Sequence, residues 1–122
     1  MAESIAESLL KFFEAGYGDF HLVGFSLGAQ ISGLIGRKVI EKSQSKFVIP
    51  RITGLDPGKL PEYTKTPIAY LNGGDATFVD TIHTETLFFA STISVGNSSF
   101  WVNGGCSQKM CKNSLTISNI SF

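Results

Sequence analysis

The chain has 122 residues, of which 43% are hydrophobic, and it carries ten acidic and ten basic side chains. That length and composition suit one modest globular domain. The balanced charge gives no electrostatic basis for binding nucleic acid or an anionic membrane surface. No apolar stretch approaches the roughly 18 residues that span a bilayer, and the first twenty residues lack the basic and apolar segments of a signal peptide.

Helical and strand-like patterns alternate along the first two thirds of the chain. Apolar residues recur at helical spacing over the first fifteen residues, and Gly16 and Gly18 end this predicted helix. The next predicted elements are a strand at residues 20–25, a helix at 27–44, a strand at 46–56, a loop at 57–75 and a strand at 76–84. The strand at 46–56 is either bent at Pro50 or starts after it.

The last third is predicted to be β structure. Residues 86–105 are interpreted as a β-hairpin or an irregular β excursion, with a turn at Gly96-Asn97. The tail after Cys111 is either one more strand or a frayed end. The order of elements indicates an α/β protein with a largely parallel sheet. Three confident strands are too few to complete such a sheet, so residues 1–122 are expected to be the central part of a larger domain.

The stretch "HLVGFSLGAQISG" places Ser26 in the pattern G-x-S-x-G, between a predicted strand and a predicted helix. A serine hydroxyl needs a base and an exposed position to act as a nucleophile. A sharp strand-to-helix elbow provides the exposure, and glycines two residues before and after the serine relieve its crowding. Gly24 and Gly28 occupy those positions. The alternative is that Ser26 is an ordinary hydroxyl in a tight turn.

The elbow has a second predicted consequence. The amide of Leu27 begins the following helix, where it would point at the oxyanion of a tetrahedral intermediate. One short segment would then supply both a nucleophile and half of an oxyanion hole.

A carboxylate follows the serine at the predicted end of the next strand. Asp56, in "RITGLDPG", lies thirty positions after Ser26, at the sheet edge where ligands of open α/β folds bind. The order serine, acid, histidine is that of the α/β-hydrolases. Taken alone, Asp56 is better interpreted as a turn residue before Pro57.

Four blocks together resemble one family. "HLVGFSLGAQISG", "RITGLDPG", "GDATFVDTIHT" and "FWVNGGCSQKMC" resemble, in this order, the pancreatic-lipase family of α/β-hydrolases, which includes triacylglycerol lipases and phospholipases A1. The resemblance runs from about residue 2 to residue 111, and its wording is closest to insect members.

The resemblance implies roles for particular residues. Ser26 would be the nucleophile, Asp56 would orient the catalytic histidine, and Leu27 would donate one oxyanion amide. The family's histidine follows a later cysteine in a "C-x-H" block that residues 1–122 do not contain. His21 is expected to pack or hydrogen-bond, and His83 belongs to the family's "IHT" block without being its general base. The early strands, the lid and the histidine segment are missing from these residues. The chain is therefore interpreted either as a fragment of a working lipase, which the lack of a signal peptide favours, or as a genuinely short product that cannot complete the triad. As it stands, it is expected to be inactive.

Metal and cysteine chemistry are weakly indicated. Neither histidine has ligand-like spacing to Cys106 and Cys111, so zinc is not predicted. Those cysteines are five positions apart, which fits a small loop bridge or partners elsewhere. The resemblance implies that Cys111 forms a disulfide with a cysteine just before the missing histidine. Of the family's acidic calcium ligands, the chain retains only Asp75, and Asn72 stands where the family has a carboxylate. Neither a metal nor a cofactor is therefore expected.

The function implied by the resemblance is hydrolysis of a glycerolipid or phospholipid ester through an acyl-enzyme. The parent protein would be secreted, a location that the sequons at Asn97 and Asn119 favour slightly. Residues 86–95, "TLFFASTISV", would either line an acyl-chain path or, preferably, form buried core. The alternative function is that of a non-catalytic binding or storage protein on the same fold, similar to insect yolk proteins.

Overall fold

The computed structural model describes residues 1–59, 70–87, 90–106 and 108. Within them lie two helices, four strands and one short 3-10 turn. In chain order these are α1 (Ala2–Glu14), β1 (His21–Phe25), α2 (Leu27–Lys42), β2 (Arg51–Leu55), β3 (Phe78–His83), β4 (Ser98–Trp101) and the 3-10 turn Val102–Gly105. The predicted tail strand and Cys111 lie outside the described residues.

The four strands form one sheet in the order β1-β2-β3-β4, and every neighbouring pair is parallel. Gly24 of β1 is level with Gly54 of β2, which is level with Thr81 of β3. The prediction of an α/β fold with a parallel sheet is therefore confirmed. Strand β2 begins after Pro50, which is the second of the two predicted alternatives.

Of the two alternatives for residues 86–105, the β-hairpin is wrong. The strand in this region, β4, pairs parallel to β3 instead of turning back on a preceding strand. The other alternative, an irregular β excursion, includes residues 88–89, which lie outside the described part. Asn97 explains the difference: its backbone amide donates to the carbonyl of Val79, and its side-chain Oδ1 accepts from the Val79 amide, both at 2.7 Å. Gly96, at φ +86°, makes the turn that brings Asn97 alongside β3. The Gly-Asn turn thus aligns a parallel strand.

The apolar core lies between the sheet and the two helices. Its buried members include residues from α2, β2, β3 and the connecting loops, namely Ala29, Val39, Ile49, Ile52, Leu71 and Val79. Side chains that alternate to the other face of the sheet are different, since Val23, Phe25 and Phe100 are each more than half exposed. In the described part of the chain, the helices therefore cover one face of the sheet.

A buried ion pair holds the loop before β3 against α2. Glycines on α2 permit the approach, because a Cβ at Gly36 would lie 2.0 Å from the carbonyl oxygen of Asp75. The Asp75 carboxylate, 1% exposed, accepts from Arg37 Nη1 at 3.0 Å and from the Asn72 amide at 2.9 Å. Burial raises the pKa of Asp75, although these two donors act in the opposite direction. Asp75 and Asn72 thus take part in packing the loop.

His83, at the end of β3, is completely buried. Its ring stacks on that of Trp101, with centroids 4.1 Å apart, and its Nε2 lies 3.0 Å from the hydroxyl of Thr81. Burial lowers the pKa of His83, and the charge of Asp56 and the backbone of Ser91 oppose this shift only in part. The folded chain therefore favours the neutral imidazole.

This burial predicts a pH-dependent stability. In the unfolded chain a histidine binds a proton near pH 6.5, whereas the folded chain resists protonation of His83. The unfolded state then binds more protons as the pH falls below about 6.5, so the free energy of unfolding decreases there. Urea unfolding between pH 7.5 and 5.0, followed by the fluorescence of Trp101, measures the decrease. His83→Gln should flatten it; equal slopes in His83→Gln and the unchanged protein would contradict the prediction.

Candidate active site

Ser26 occupies the junction between β1 and α2. Its backbone has φ 54° and ψ −119°, a conformation that residues with a side chain rarely adopt. The Ser26 amide donates to the carbonyl of Leu55 at 2.9 Å, so the bend is tied to the end of β2. The side chain is half-buried. The serine thus stands at a strained strand-to-helix bend, at the carboxyl edge of the sheet.

The two elbow glycines have different roles. A Cβ at Gly24 would lie 2.3 Å from the carbonyl oxygen of Gly28, a distance that no packing tolerates. A Cβ at Gly28 would meet no atom within 4 Å outside its own helix and its chain neighbours. The crowding expected at both positions is therefore found at Gly24, because there the backbone of α2 passes directly over the strand.

The Leu27 amide is the first of α2, and the first amides of a helix have no intrahelical acceptor. Gly58 lies beside it: a Cβ at Gly58 would be 3.3 Å from the nitrogen of Leu27 and 3.3 Å from Ser26 Oγ. The Gly58 amide also donates to the carbonyl of Ser26 at 3.0 Å. The absence of a side chain at Gly58 leaves the space beside the serine hydroxyl and this amide open.

Sequence reasoning missed Gly58 and also Gln30, which is buried. Gln30 Nε2 donates to the carbonyl of Gly58 at 2.9 Å, and its Oε1 accepts from the Leu71 amide at 2.7 Å. Gln30 thereby connects α2 to the loop that follows Asp56. Gln30 could have been found from the sequence, because it is a polar side chain four residues after the serine on the buried side of a predicted helix.

Asp56 follows β2 directly, with φ 41°. Its amide donates to the carbonyl of Ile82 at 2.8 Å. Its carboxylate accepts from the amides of Thr84 and Glu85, at 2.5 and 3.1 Å, and from the hydroxyl of Thr84. All three donors are neutral, and among the described residues no cationic group lies within ion-pair distance of it.

A cavity of about 230 Å³ brings the serine and the carboxylate together. Its described lining residues are Phe25, Ser26, Asp56, Glu85 and Ala90. A larger cavity, of about 520 Å³, lies at the end of α1. That one is lined by aromatic residues, glycines and Asp19, with no serine, cysteine or histidine among its described lining residues. The smaller cavity is thus the one with the elements of a nucleophilic site.

Neither histidine is among the described residues that line this cavity. His21, on the open face of the sheet, places Nε2 2.8 Å from the hydroxyl of Thr53. That hydroxyl donates to Asp80, which also accepts from Arg51 and whose pKa this arginine holds below its usual range. The packing and hydrogen-bonding role expected for His21 agrees with these contacts, and His83 is enclosed in the core.

The remaining predicted segments are partly described. Within residues 86–95, Ala90 lines the cavity and Ser91 is buried, whereas Leu87 and Ile93 are more than half exposed. Residues 88–89 lie outside the described part, so the acyl-path role stays a prediction. Cys106 is exposed, and its pairing also stays a prediction because Cys111 is not described.

Comparison with known proteins identifies the family of the chain. The family model described as "Lipase" matches residues 2–121. The chain belongs to the lipase family.

Individual lipase-family relatives differ in their names. The chain is 41% identical over 110 residues to "Phospholipase A1 member A" of Rattus norvegicus, covering 88% of this chain and 23% of that protein. It is 39% identical over 101 residues to "Pancreatic triacylglycerol lipase" of Oryctolagus cuniculus, covering 77% and 20%. It is also 38% identical over 84 residues to "Vitellogenin-3" of Drosophila melanogaster, covering 69% and 20%. The chain therefore spans about a fifth to a quarter of the relatives it matches.

Within its described residues, no helix has the length and apolar character that crossing a membrane requires.

The unequal elbow glycines give a direct test of this lipase-family bend. Gly24→Ala should lower the free energy of unfolding by about 1–3 kcal/mol, because α2 must move off the strand. Gly28→Ala, in an open helical position, should leave it unchanged or raise it by about 0.5–1 kcal/mol. Urea denaturation of both variants measures the difference, and equal losses would show that the bend is not packed as described.

Proposed function

We propose that this chain carries the nucleophile and the acid of a serine lipase that hydrolyses the carboxylic esters of glycerolipids. The observation that supports this most directly is the cavity shared by Ser26, strained at the elbow, and Asp56. Membership of the lipase family and the names of the relatives support the substrate class.

In the proposed reaction, Ser26 Oγ attacks the ester carbonyl carbon while its proton passes to a histidine. The carbonyl oxygen becomes an oxyanion, which the Leu27 amide stabilises at the start of α2. Collapse of this intermediate breaks the bond to the alcohol, which takes the proton from the imidazolium, and an acyl-enzyme remains. Water, deprotonated by the same histidine, then releases the fatty acid and restores Ser26.

The base is proposed to be a histidine from outside residues 1–122, oriented by Asp56. Two observations support this. Neither His21 nor His83 is among the described lining residues of the Ser26 cavity, and the chain spans about a quarter of the phospholipase A1 relative. Asp56 suits the role because its neutral donors leave a negative charge that an imidazolium would offset.

The substrate is proposed to be a phospholipid or a triacylglycerol at a lipid–water interface, and the parent protein to be secreted, as expected of the family. The similarity to proteins named phospholipase A1 and pancreatic triacylglycerol lipase supports both ester types. Assays with phosphatidylcholine labelled at the sn-1 ester and with a triacylglycerol, run in parallel, decide between them.

A second candidate function is non-catalytic binding or storage, which the similarity to a protein named vitellogenin favours. Against it stands the cavity that Ser26 and Asp56 share. A storage or binding function requires neither a nucleophile nor a carboxylate in that cavity.

A fluorophosphonate probe tests the proposed nucleophile. In the product of the complete coding sequence, the probe should label Ser26, and Ser26→Ala should abolish both labelling and ester hydrolysis. Asp56→Asn should lower kcat by about 10⁴-fold, because the histidine loses the group that orients it. Mass spectrometry of the labelled peptide and kinetics with both ester substrates provide the measurements.

Ser32→Ala is the matched control, because Ser32 is on the same helix and its hydroxyl donates to the carbonyl of Gly28 at 2.9 Å. Labelling should survive this change. A folded product that binds lipid, takes up no probe at Ser26 and hydrolyses neither substrate would reject the lipase proposal in favour of the binding function.

A further inference from the structure

The turn that follows β3 surrounds the Asp56 carboxylate with donors. The amides of Thr84 and Glu85 both donate to Oδ1, and the Thr84 hydroxyl donates to Oδ2. A carboxylate has about four acceptor positions, two on each oxygen. Counting the donors of the described residues, both positions on Oδ1 are filled and one position on Oδ2 is open.

The turn itself is held from two sides. The carbonyl of Thr84 accepts from Gln108 Nε2 at 3.0 Å. Thr86 donates its amide and its hydroxyl to the carbonyl of Gly105, at 2.8 and 2.9 Å. On the strand side, the buried ring of His83 stacks on Trp101. The donors are thus fixed before any partner of Asp56 arrives.

The partners of the Asp56 carboxylate differ from those of the two buried aspartates, Asp75 and Asp80. Asp75 is paired with Arg37, and Asp80 with Arg51. Asp56 receives hydrogen bonds from neutral groups and no ion pair within the described residues. Its charge is oriented by these bonds but is not neutralised.

We propose that Thr84 is a positioning residue for the reaction, and that its hydroxyl leaves Asp56 with a single open acceptor position, on Oδ2, for the N–H of the catalytic histidine. This inference rests on the proposed function. The Thr84 hydroxyl has two effects: it stops the carboxylate from rotating about its Cβ–Cγ bond, and it withdraws negative charge from the oxygen that faces the imidazole. A hydrogen bond to a charged group is among the stronger ones in proteins.

Three variants separate this role from a merely structural one. Thr84→Val removes the hydroxyl at nearly constant shape, and Thr84→Ser retains it. Thr53→Val is the matched control, because it removes a threonine hydroxyl that donates at 2.7 Å to a different carboxylate, that of Asp80, and not to Asp56.

The first readout is the pH dependence of ester hydrolysis by the product of the complete coding sequence. Without the Thr84 hydroxyl, Oδ2 holds more charge and favours the imidazolium, so Thr84→Val should move the acidic limb of the rate profile to higher pH. It should also lower kcat about tenfold with little change in KM. Thr84→Ser should restore both quantities, and Thr53→Val should leave the limb in place. An acidic limb and kcat that match in Thr84→Val and Thr53→Val would overturn the proposal.

The second readout does not need activity. Amide hydrogen exchange in the product of the complete coding sequence should show the Glu85 amide protected in the unchanged protein and in Thr84→Ser, and at least tenfold less protected in Thr84→Val. Equal protection in all three would overturn the proposal. If the product hydrolyses no ester but this pattern is found, the proposed function fails while the positioning of Asp56 by Thr84 stands.

Discussion

The structure depends on one steric constraint, the passage of a helix over the strand that leads into it. α2 begins one residue after Ser26, with Ser26 alone between it and β1. The backbone of α2 must therefore cross β1 at the level of Gly24, where only a hydrogen atom fits beneath the carbonyl of Gly28. The strained φ of Ser26 is the geometric result of this crossing. It places Ser26 in the lining of the cavity, at the start of a helix whose first amides have no intrahelical acceptor.

The edge of the parallel sheet then places the second functional group. The residues that follow β1 and β2 each donate a backbone hydrogen bond to the end of the next strand: Ser26 to the carbonyl of Leu55, and Asp56 to that of Ile82. Residues that leave successive strands are thereby held at one level of the same edge. Gly58 and Gln30 complete this region by connecting the loop after Asp56 to α2. The serine and the carboxylate reach one cavity through backbone bonds, with no direct contact between their side chains being required.

The acidic groups near the sheet are used in two different ways. Asp75 and Asp80 are paired with arginines and hold segments of the fold together. Asp56 is surrounded by the amides and hydroxyl of a turn, which orient a carboxylate without cancelling its charge. Of these three carboxylates, Asp56 is the best suited to assist an imidazolium, because no cationic side chain of the described residues is paired with it. This division is consistent with a catalytic role for Asp56 and with structural roles for the other two.

The sequence alone determined the parallel α/β class, the elbow at Ser26 and the family, because these follow from local patterns: apolar runs of strand length, helical spacing and glycines at fixed offsets. It did not determine the partner of β4, since a Gly-Asn turn favours a hairpin locally and only the contacts of Asn97 with Val79 align that strand parallel to β3. Nor did it identify Gly58, Gln30 and Thr84, whose roles arise from contacts between residues 28 positions apart. Tertiary structure decided these points, because which donor meets which carboxylate depends on how separate strands end side by side.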